Sequence, residues 1–230
     1  MAERRTAAIF GATGLVGRAC LDLLLADERY VRIVAIGRRE PAQSHPKLVV
    51  RRAALDIVEA LDDPTLGSVD DVFCCLGTTI RKAGSQEAFR RVDLDYVVNA
   101  ASFAKRRGAR HFLMVSAVGA DARSRVFYSR VKGEVEGAIA KLGIERVSIF
   151  RPSFILGPRE ESRLGERLGM AVAAALSFAM VGRLTKYRPI AAATIARAML
   201  AVAATPAPGV TVYEFNRIAT LGGAIPRPPA

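Results

Sequence analysis

The sequence predicts a doubly wound α/β domain: an open parallel sheet with helices on both faces. Three observations point there. Near the start, a glycine-rich turn joins an apolar run to a helical stretch, with Gly11, Gly14 and Gly17 in the spacing G-x-x-G-x-x-G. The later apolar runs are short and do not alternate in polarity, the mark of parallel strands buried on both faces. Helical stretches separate these runs, giving the β-α-β alternation of a parallel sheet.

Residues 6–10 read as the first buried strand and 15–26 as the first helix. Residues 31–36 form the second strand, which runs into Gly37-Arg38-Arg39. Further strands follow at 48–51, 71–76, 111–116 and 146–151, each rich in Val, Ile, Leu or Phe. One long helix is predicted over 86–107, because Phe89, Val92, Tyr96, Val97, Ala100 and Phe103 recur at helical spacing. Gly108 sits where its C-terminal cap belongs. A second helix over 128–142 is closed by Gly143, residues 189–203 read as a late helix, and 210–215 as a last strand. The 222–230 tail, rich in proline and glycine, is expected to be loose. No repeat or linker divides the chain, so residues 1–221 are expected to form one domain.

The 230 residues, 51% apolar and 24% charged, fit one globular domain with a sizeable core. The net charge is +12, and 28 of the 34 basic residues are arginine, scattered in runs no longer than two. With no basic tail, zinc finger or aromatic-laced basic motif, nucleic acid is not expected as a partner. The arginine and alanine enrichment reads as coding composition. Cys20, Cys74 and Cys75 show no framework spacing and read as reduced thiols of a cytoplasmic protein. His45 and His111 lie near no ligand cluster, and no metal is expected. The uncharged, alanine-rich stretch 168–182 has 15 residues, fewer than the ~18 of a membrane span. The first strand starts so early that no signal peptide is expected.

The glycine turn implies chemistry as well as shape. A strand, a glycine turn and a helix in that order present backbone amides and a positive helix end to a pyrophosphate. A nicotinamide dinucleotide is therefore expected there. A carboxylate at the end of the second strand would hold a free ribose 2′-hydroxyl. Arg38 and Arg39 stand there instead and suit a 2′-phosphate, so NADP(H) is expected. Tyr128 and Lys132, four apart, share one face of the predicted helix. An ammonium beside a phenol favours phenolate, lowering the Tyr128 pKa and making it a usable acid or base. Ser116, at the carboxyl end of its strand, lies where open α/β sheets bind ligands, and its hydroxyl is expected to hold a substrate carbonyl.

Together these residues resemble a short-chain dehydrogenase/reductase of the extended or atypical kind, in particular the Tat-interacting-protein-like oxidoreductase branch. The resemblance is also carried by Cys-Cys-Leu-Gly-Thr-Thr at 74–79, Val-Asp-Leu-Asp-Tyr at 92–96, Val-Lys-Gly-Glu-Val-Glu at 131–136 and Phe-Arg-Pro at 150–152. It spans about residues 5–205. It implies a Rossmann fold binding NADP(H), with a minimal substrate region after the sixth strand, at about 152–190. By position it implies that Gly11, Thr13, Gly14, Leu15 and Val16 wrap the pyrophosphate and that Arg38 and Arg39 hold the 2′-phosphate. Asp56 and Ile57 would edge the adenine, and Leu76, Gly77 and Thr78 the ribose side. Pro152 and Ser153 would flank the nicotinamide, with Tyr128 and Lys132 beside its ribose. The chain departs from better-known members in carrying Cys75-Leu76-Gly77 where they have N-A-G.

The expected activity is hydride transfer between NADP(H) and a small carbonyl or alcohol, with Ser116, Tyr128 and Lys132 as the catalytic set. The alternatives are a non-catalytic NADPH-binding regulatory protein and a nucleotide-sugar epimerase or dehydratase, the latter disfavoured by the chain's shortness. Arg81, Lys82, Arg159, Arg163 and Arg167 border the expected site and either attract an acidic substrate or form a solvated surface. The expected partner is a small-molecule substrate, with no membrane and a monomeric or homodimeric protein.

Overall fold

The computed structural model describes residues 4–56, 63–157 and 182–223. Its strands are β1 (Arg5–Phe10), β2 (Tyr30–Gly37), β3 (Leu48–Arg52), β4 (Asp71–Cys74), β5 (His111–Val115), β6 (Arg146–Arg151), β7 (Ile155–Leu156), β8 (Ile190–Ala191) and β9 (Gly209–Glu214). Seven of them form one parallel sheet in the order β3-β2-β1-β4-β5-β6-β9, while β7 and β8 pair separately. The chain winds outward from β1 in one direction and from β4 in the other. The carboxyl ends of these two strands therefore border the crevice where such sheets bind ligands.

Helices cover both faces: α1 (Leu15–Ala26), α2 (Ile80–Ala83), α3 (Gln86–Arg90), α4 (Tyr96–Arg106), α5 (Phe127–Ala140), α6 (Ala192–Ala204) and α7 (Phe215–Leu221). On one face α6 lies along α1, and Leu21, Leu24, Ile195 and Met199 join Ile9 and Ile33 in one core. On the other, α4 and α5 bury Phe103, Val135 and Ile139 against Phe10, Val34 and Phe112. Both faces of each central strand are thus buried, which is why the strands read as unbroken apolar runs.

The structure changes several expected elements. The long helix over 86–107 is interrupted by a π turn at Arg91–Asp95, within which Asp93 is fully buried. Strand β4 stops at Cys74, because Cys75 turns to meet the glycine loop. The late helix begins at Ala192, since Ile190 and Ala191 pair with β7. Helix α7 was not anticipated, and its Phe215 and Ile218 complete the α1–α6 core. Of the tail, 224–230 lie outside the described residues, as do Ile57, Arg159, Arg163, Arg167 and most of the uncharged 168–182 stretch.

The amino ends of the strands, opposite the crevice, are joined by buried polar groups. The Asp71 carboxylate accepts hydrogen bonds from Arg5 Nη2 at 2.6 Å and from the Tyr30 hydroxyl at 2.7 Å. His111 Nε2 shares a hydrogen bond with Ser148 Oγ at 2.9 Å, and its Nδ1 stands 3.8 Å from Asp71. Burial pushes Asp71 up to about 6, against the pull of Tyr30 and Arg5. Burial, with Arg146 and Arg5 nearby, pushes His111 down to about 3.

These shifts have opposite consequences for stability. The native pKa of Asp71 lies above its ordinary 3.8, so its contribution is present at low pH and lost as pH rises through about 6. The native pKa of His111 lies below its ordinary 6.5, so its contribution is present above 6.5 and lost as pH falls towards 3. In His111→Gln only the second effect disappears. Relative to the unaltered chain, this variant should gain about 1–2 kcal/mol between pH 7 and pH 5. Urea unfolding at the two pH values checks this, and a difference independent of pH would show that His111 does not titrate on unfolding.

Candidate functional site

The site is built around a close backbone approach. Gly11 has φ +79, and a Cβ there would lie 2.7 Å from the Cys75 carbonyl oxygen. A Cβ at Gly17 would overlap the Gly11 oxygen outright. Only glycine lets the turn after β1 pass under the chain leaving β4 while α1 rises directly from it. The Gly14 amide donates to the Gly11 oxygen at 3.0 Å, and Gly14 caps α1 with no side chain over the helix end. The first-turn amides, including those of Leu15 and Val16, meet no side-chain cap and no acidic residue, which suits an anion.

The ends of β2 and β3 form an open groove of about 480 Å³, lined by Arg38, Arg52, Asp56 and Tyr96 among others. The Arg38 guanidinium stands over the Tyr96 ring, 5.8 Å from its centre. Arg39 turns back to the glycine loop, donating from Nη2 to Thr13 Oγ1 at 3.2 Å. Asn99 on α4 donates to the carbonyls of Leu55 and Asp56 at 2.8 and 3.1 Å, fastening the loop beneath the groove. Sequence reasoning missed Arg52, Tyr96 and Asn99 as parts of this groove. Arg52 enters because it lies in register with Gly37, the residue before the arginine pair.

Across the crevice, α5 presents Tyr128, Lys132 and Glu136 at successive turns. Lys132 is almost fully buried, and its Nζ lies 2.7 Å from Asp93 Oδ1. Asp93 Oδ2 accepts the Thr78 amide at 2.8 Å. A Cβ on Gly77 would stand 3.5 Å from Asp93 Oδ1 and 4.0 Å from Lys132 Nζ, so the loop after β4 lies directly on this pair. Burial opposes the Lys132 charge, but Asp93 and Tyr128 outweigh it and hold the ammonium above its ordinary value. The structure corrects the expected phenol: Tyr128 is raised, not lowered. Burial is the largest cause, and the pull of Lys132 is opposed by Asp93.

Ser116 also departs from expectation. It is buried, and its hydroxyl donates to Glu136 rather than facing open space. Glu136 is clamped by Arg151, whose Nε and Nη2 donate at 3.0 and 2.5 Å. With its proton committed, Ser116 can act towards a ligand only as an acceptor. Pro152 is buried and its carbonyl accepts the Val118 amide at 2.9 Å, while Ser153 donates to the Tyr187 carbonyl at 2.9 Å. Arg81 and Lys82 are exposed on α2, which Thr79 caps by accepting the Lys82 amide at 3.2 Å. Sequence reasoning missed Asp93, Glu136 and Arg151. Asp93 carried a readable signal, since it interrupts the apolar stripe of Phe89, Val97 and Ala100 at helical spacing.

The chain is similar to known proteins over most of its length. A family model described as NAD(P)H-binding matches residues 11–145. Protein HTATIP2 of Rattus norvegicus is 36% identical over 224 residues, covering 96% of this chain and 90% of that protein. The protein fmp52, mitochondrial, of Emericella nidulans is 37% identical over 174 residues, covering 74% and 75%. Among solved structures, the Bordetella bronchiseptica enzyme WbmH in complex with NAD+ aligns with TM-score 0.68 at 16% identity, covering 99% of this chain and 84% of that one. A UDP-glucose 4-epimerase from Thermotoga maritima aligns with TM-score 0.67 at 15% identity, covering 95% and 80%. At such identities the likeness is one of fold.

The expected cytoplasmic location is overturned by the FMP52 relatives of Emericella nidulans, Coccidioides immitis and Candida albicans, which are named mitochondrial. The thiols behind that expectation separate reducing from oxidising surroundings and do not tell one reducing compartment from another. Among the described residues, no helix is long and apolar enough to cross a membrane. From the glycine turn, the match over residues 11–145 and the identity shared with HTATIP2 along nearly the whole chain, this protein belongs to the NAD(P)H-binding family of Rossmann-fold proteins.

Proposed function

We propose that the chain is an NADP(H)-dependent oxidoreductase of the short-chain dehydrogenase/reductase type, acting on a small carbonyl or alcohol. The observation that carries this reading is the Tyr128–Lys132 pair on one face of α5, with the Lys132 ammonium buried against the loop after β4. A nicotinamide bound at that loop would supply or accept the hydride. Tyr128 would give its hydroxyl proton to the carbonyl oxygen in the reductive direction. Lys132 would bond the neighbouring ribose, and the uncapped amides of α1 would hold the pyrophosphate.

The groove at β2 and β3 supports NADP(H) over NAD(H). Arg38 and Arg52 line it, while Arg39 donates to Thr13 of the glycine loop. No carboxylate follows β2 before Glu40. A second reading, a non-catalytic NADPH-binding regulator, is favoured by one observation: Ser116 spends its hydroxyl proton on Glu136.

Two measurements test these readings. In calorimetric titration, NADPH should bind more tightly than NADH, and Arg38→Ala with Arg39→Ala should erase most of the difference. Removing one charge-assisted hydrogen bond costs about 1.5–3 kcal/mol, roughly 10- to 100-fold in affinity. Equal affinities for the two cofactors in the unaltered chain would sink the cofactor assignment. In a panel of aldehydes, ketones and quinones read by NADPH absorbance, Tyr128→Phe should lower turnover by about 10²–10⁴-fold and leave NADPH binding nearly intact. Turnover in Tyr128→Phe as fast as in the unaltered chain would exclude Tyr128 as proton donor and favour the regulatory reading.

A further inference from the structure

The proposed reaction leaves a buried carboxylate beside it unused. Asp93 is fully buried on the π turn that breaks the α3–α4 helix. A π turn is rare, and the extra residue it inserts commonly serves a site. Here the turn holds Asp93, a buried charge in what is otherwise an apolar stripe. The two carboxylate oxygens of Asp93 serve different partners: Oδ1 forms an ion pair with the Lys132 ammonium and Oδ2 accepts the Thr78 amide. It thereby joins α5 to the loop after β4.

The groups facing this pair are few. Helix α5 contributes Tyr128 and Lys132, and β4 contributes Cys74, whose thiol burial pushes up to about 12. Helix α3 contributes the Phe89 ring, 5.4 Å from the Tyr128 ring. The loop after β4 contributes the Thr78 amide and the bare Gly77. No second cation faces Tyr128 among these.

We propose that Asp93 is a positioning residue of this site: it pins the Lys132 ammonium to the loop after β4 and cancels that charge as felt by Tyr128, holding Tyr128 as a neutral hydroxyl poised to donate. The inference rests on the reading of Tyr128 as the acid–base group. A lone ammonium beside a buried phenol favours the phenolate. An ammonium with a carboxylate 2.7 Å away presents a dipole, whose field falls off faster than that of a charge. Alcohol oxidation needs Tyr128 as a base, and the phenolate then forms only at alkaline pH. Carbonyl reduction needs the neutral hydroxyl, which is present at neutral pH. Asp93 therefore biases the site towards reduction.

The test follows Tyr128 ionisation by tyrosinate absorbance, as the difference between each protein and its Tyr128→Phe counterpart. It needs neither substrate nor cofactor. In the unaltered chain Tyr128 should ionise above its ordinary value of 10.0. In Asp93→Asn the midpoint should fall by about one pH unit or more, and in Asp93→Glu it should return towards the starting value. An unchanged midpoint in folded Asp93→Asn overturns the proposal.

Should Asp93→Asn fail to fold, the unaltered protein still decides. The chain has six lysines, so Lys132 can be followed by nitrogen-15 lysine spectra and assigned with Lys132→Arg. An ammonium persisting beyond the ordinary 10.5 is expected, and loss of its proton below 10.5, as burial alone would cause, overturns the proposal. With any accepted carbonyl, Asp93→Asn should move the alkaline limb of the reduction profile down by as much as the phenol midpoint. A chain that shows the titration shift but reduces no carbonyl keeps the Asp93 bridge and loses the catalytic reading of Tyr128.

Discussion

Everything at the binding end of this molecule follows from two backbones meeting without side chains between them. Gly11 lies against the Cys75 carbonyl, and Gly17 lies against Gly11. The Cys75 amide closes the junction by donating to the Phe10 carbonyl at 2.9 Å. Because the turn is that tight, α1 leaves the sheet immediately above β1, with its amino end in the crevice. The chain after β4 is held over the same point, which carries Gly77 and Thr78 to Asp93 and Lys132. A single added methyl group at Gly17 would separate these layers and misplace both halves of the site.

The two halves are supported differently. The β2–β3 side is an exposed groove of arginines with one aromatic ring, whose shape depends on the Asn99 clamp beneath it. Exposed cations of this kind contribute little to stability, and their value lies in reading a charge on the ligand. On the α5 side the charges are largely buried and paired: Lys132 with Asp93, and Glu136 with Arg151 and Ser116. Paired charges in such a setting fix geometry, and removing one partner strands the other. On the proposed reading, one half would select the cofactor and the other would hold the Tyr128 hydroxyl in place.

The fold was legible because parallel strands and their helices write themselves as local patterns. The structure places α1 at Leu15–Ala26 and β6 at Arg146–Arg151, the spans read from the sequence. Gly11, Gly14 and Gly17 were legible as a turn for the same reason. The details that failed depend on contacts between distant segments. A template of uniform helical period puts Asp93 on the buried stripe of Phe89 and Val97 but has no place for a π turn and names no partner for the carboxylate. The partners of Ser116 follow from the sheet, where its amide donates to Phe150 at 2.7 Å and the next residue of β6 is Arg151. Nothing in the local sequence around residue 116 announces that neighbour. The Tyr128–Lys132 pair was visible, but its electrostatic balance was not, because the opposing charge came from another helix.

The packing of α6 along α1 has a consequence for the order in which the molecule is made. Leu21 and Leu24 belong to the first βα unit, yet the residues that cover them, Ile195 and Met199, arrive some 170 positions later. Arg5 donates to the Ala203 carbonyl at 3.1 Å and Arg29 to the Leu200 carbonyl at 3.3 Å, so the hydrogen bonds of this layer span 198 and 171 positions. During synthesis the residues described in the α4–α5 core have all been made once β6 emerges, whereas the α1 side waits for nearly the whole chain. A ribosome-bound intermediate of this protein is therefore uneven, with the α1 face of the sheet incompletely covered until α6 docks, and that docking is a late, long-range closure of the kind that slows folding and invites chaperones.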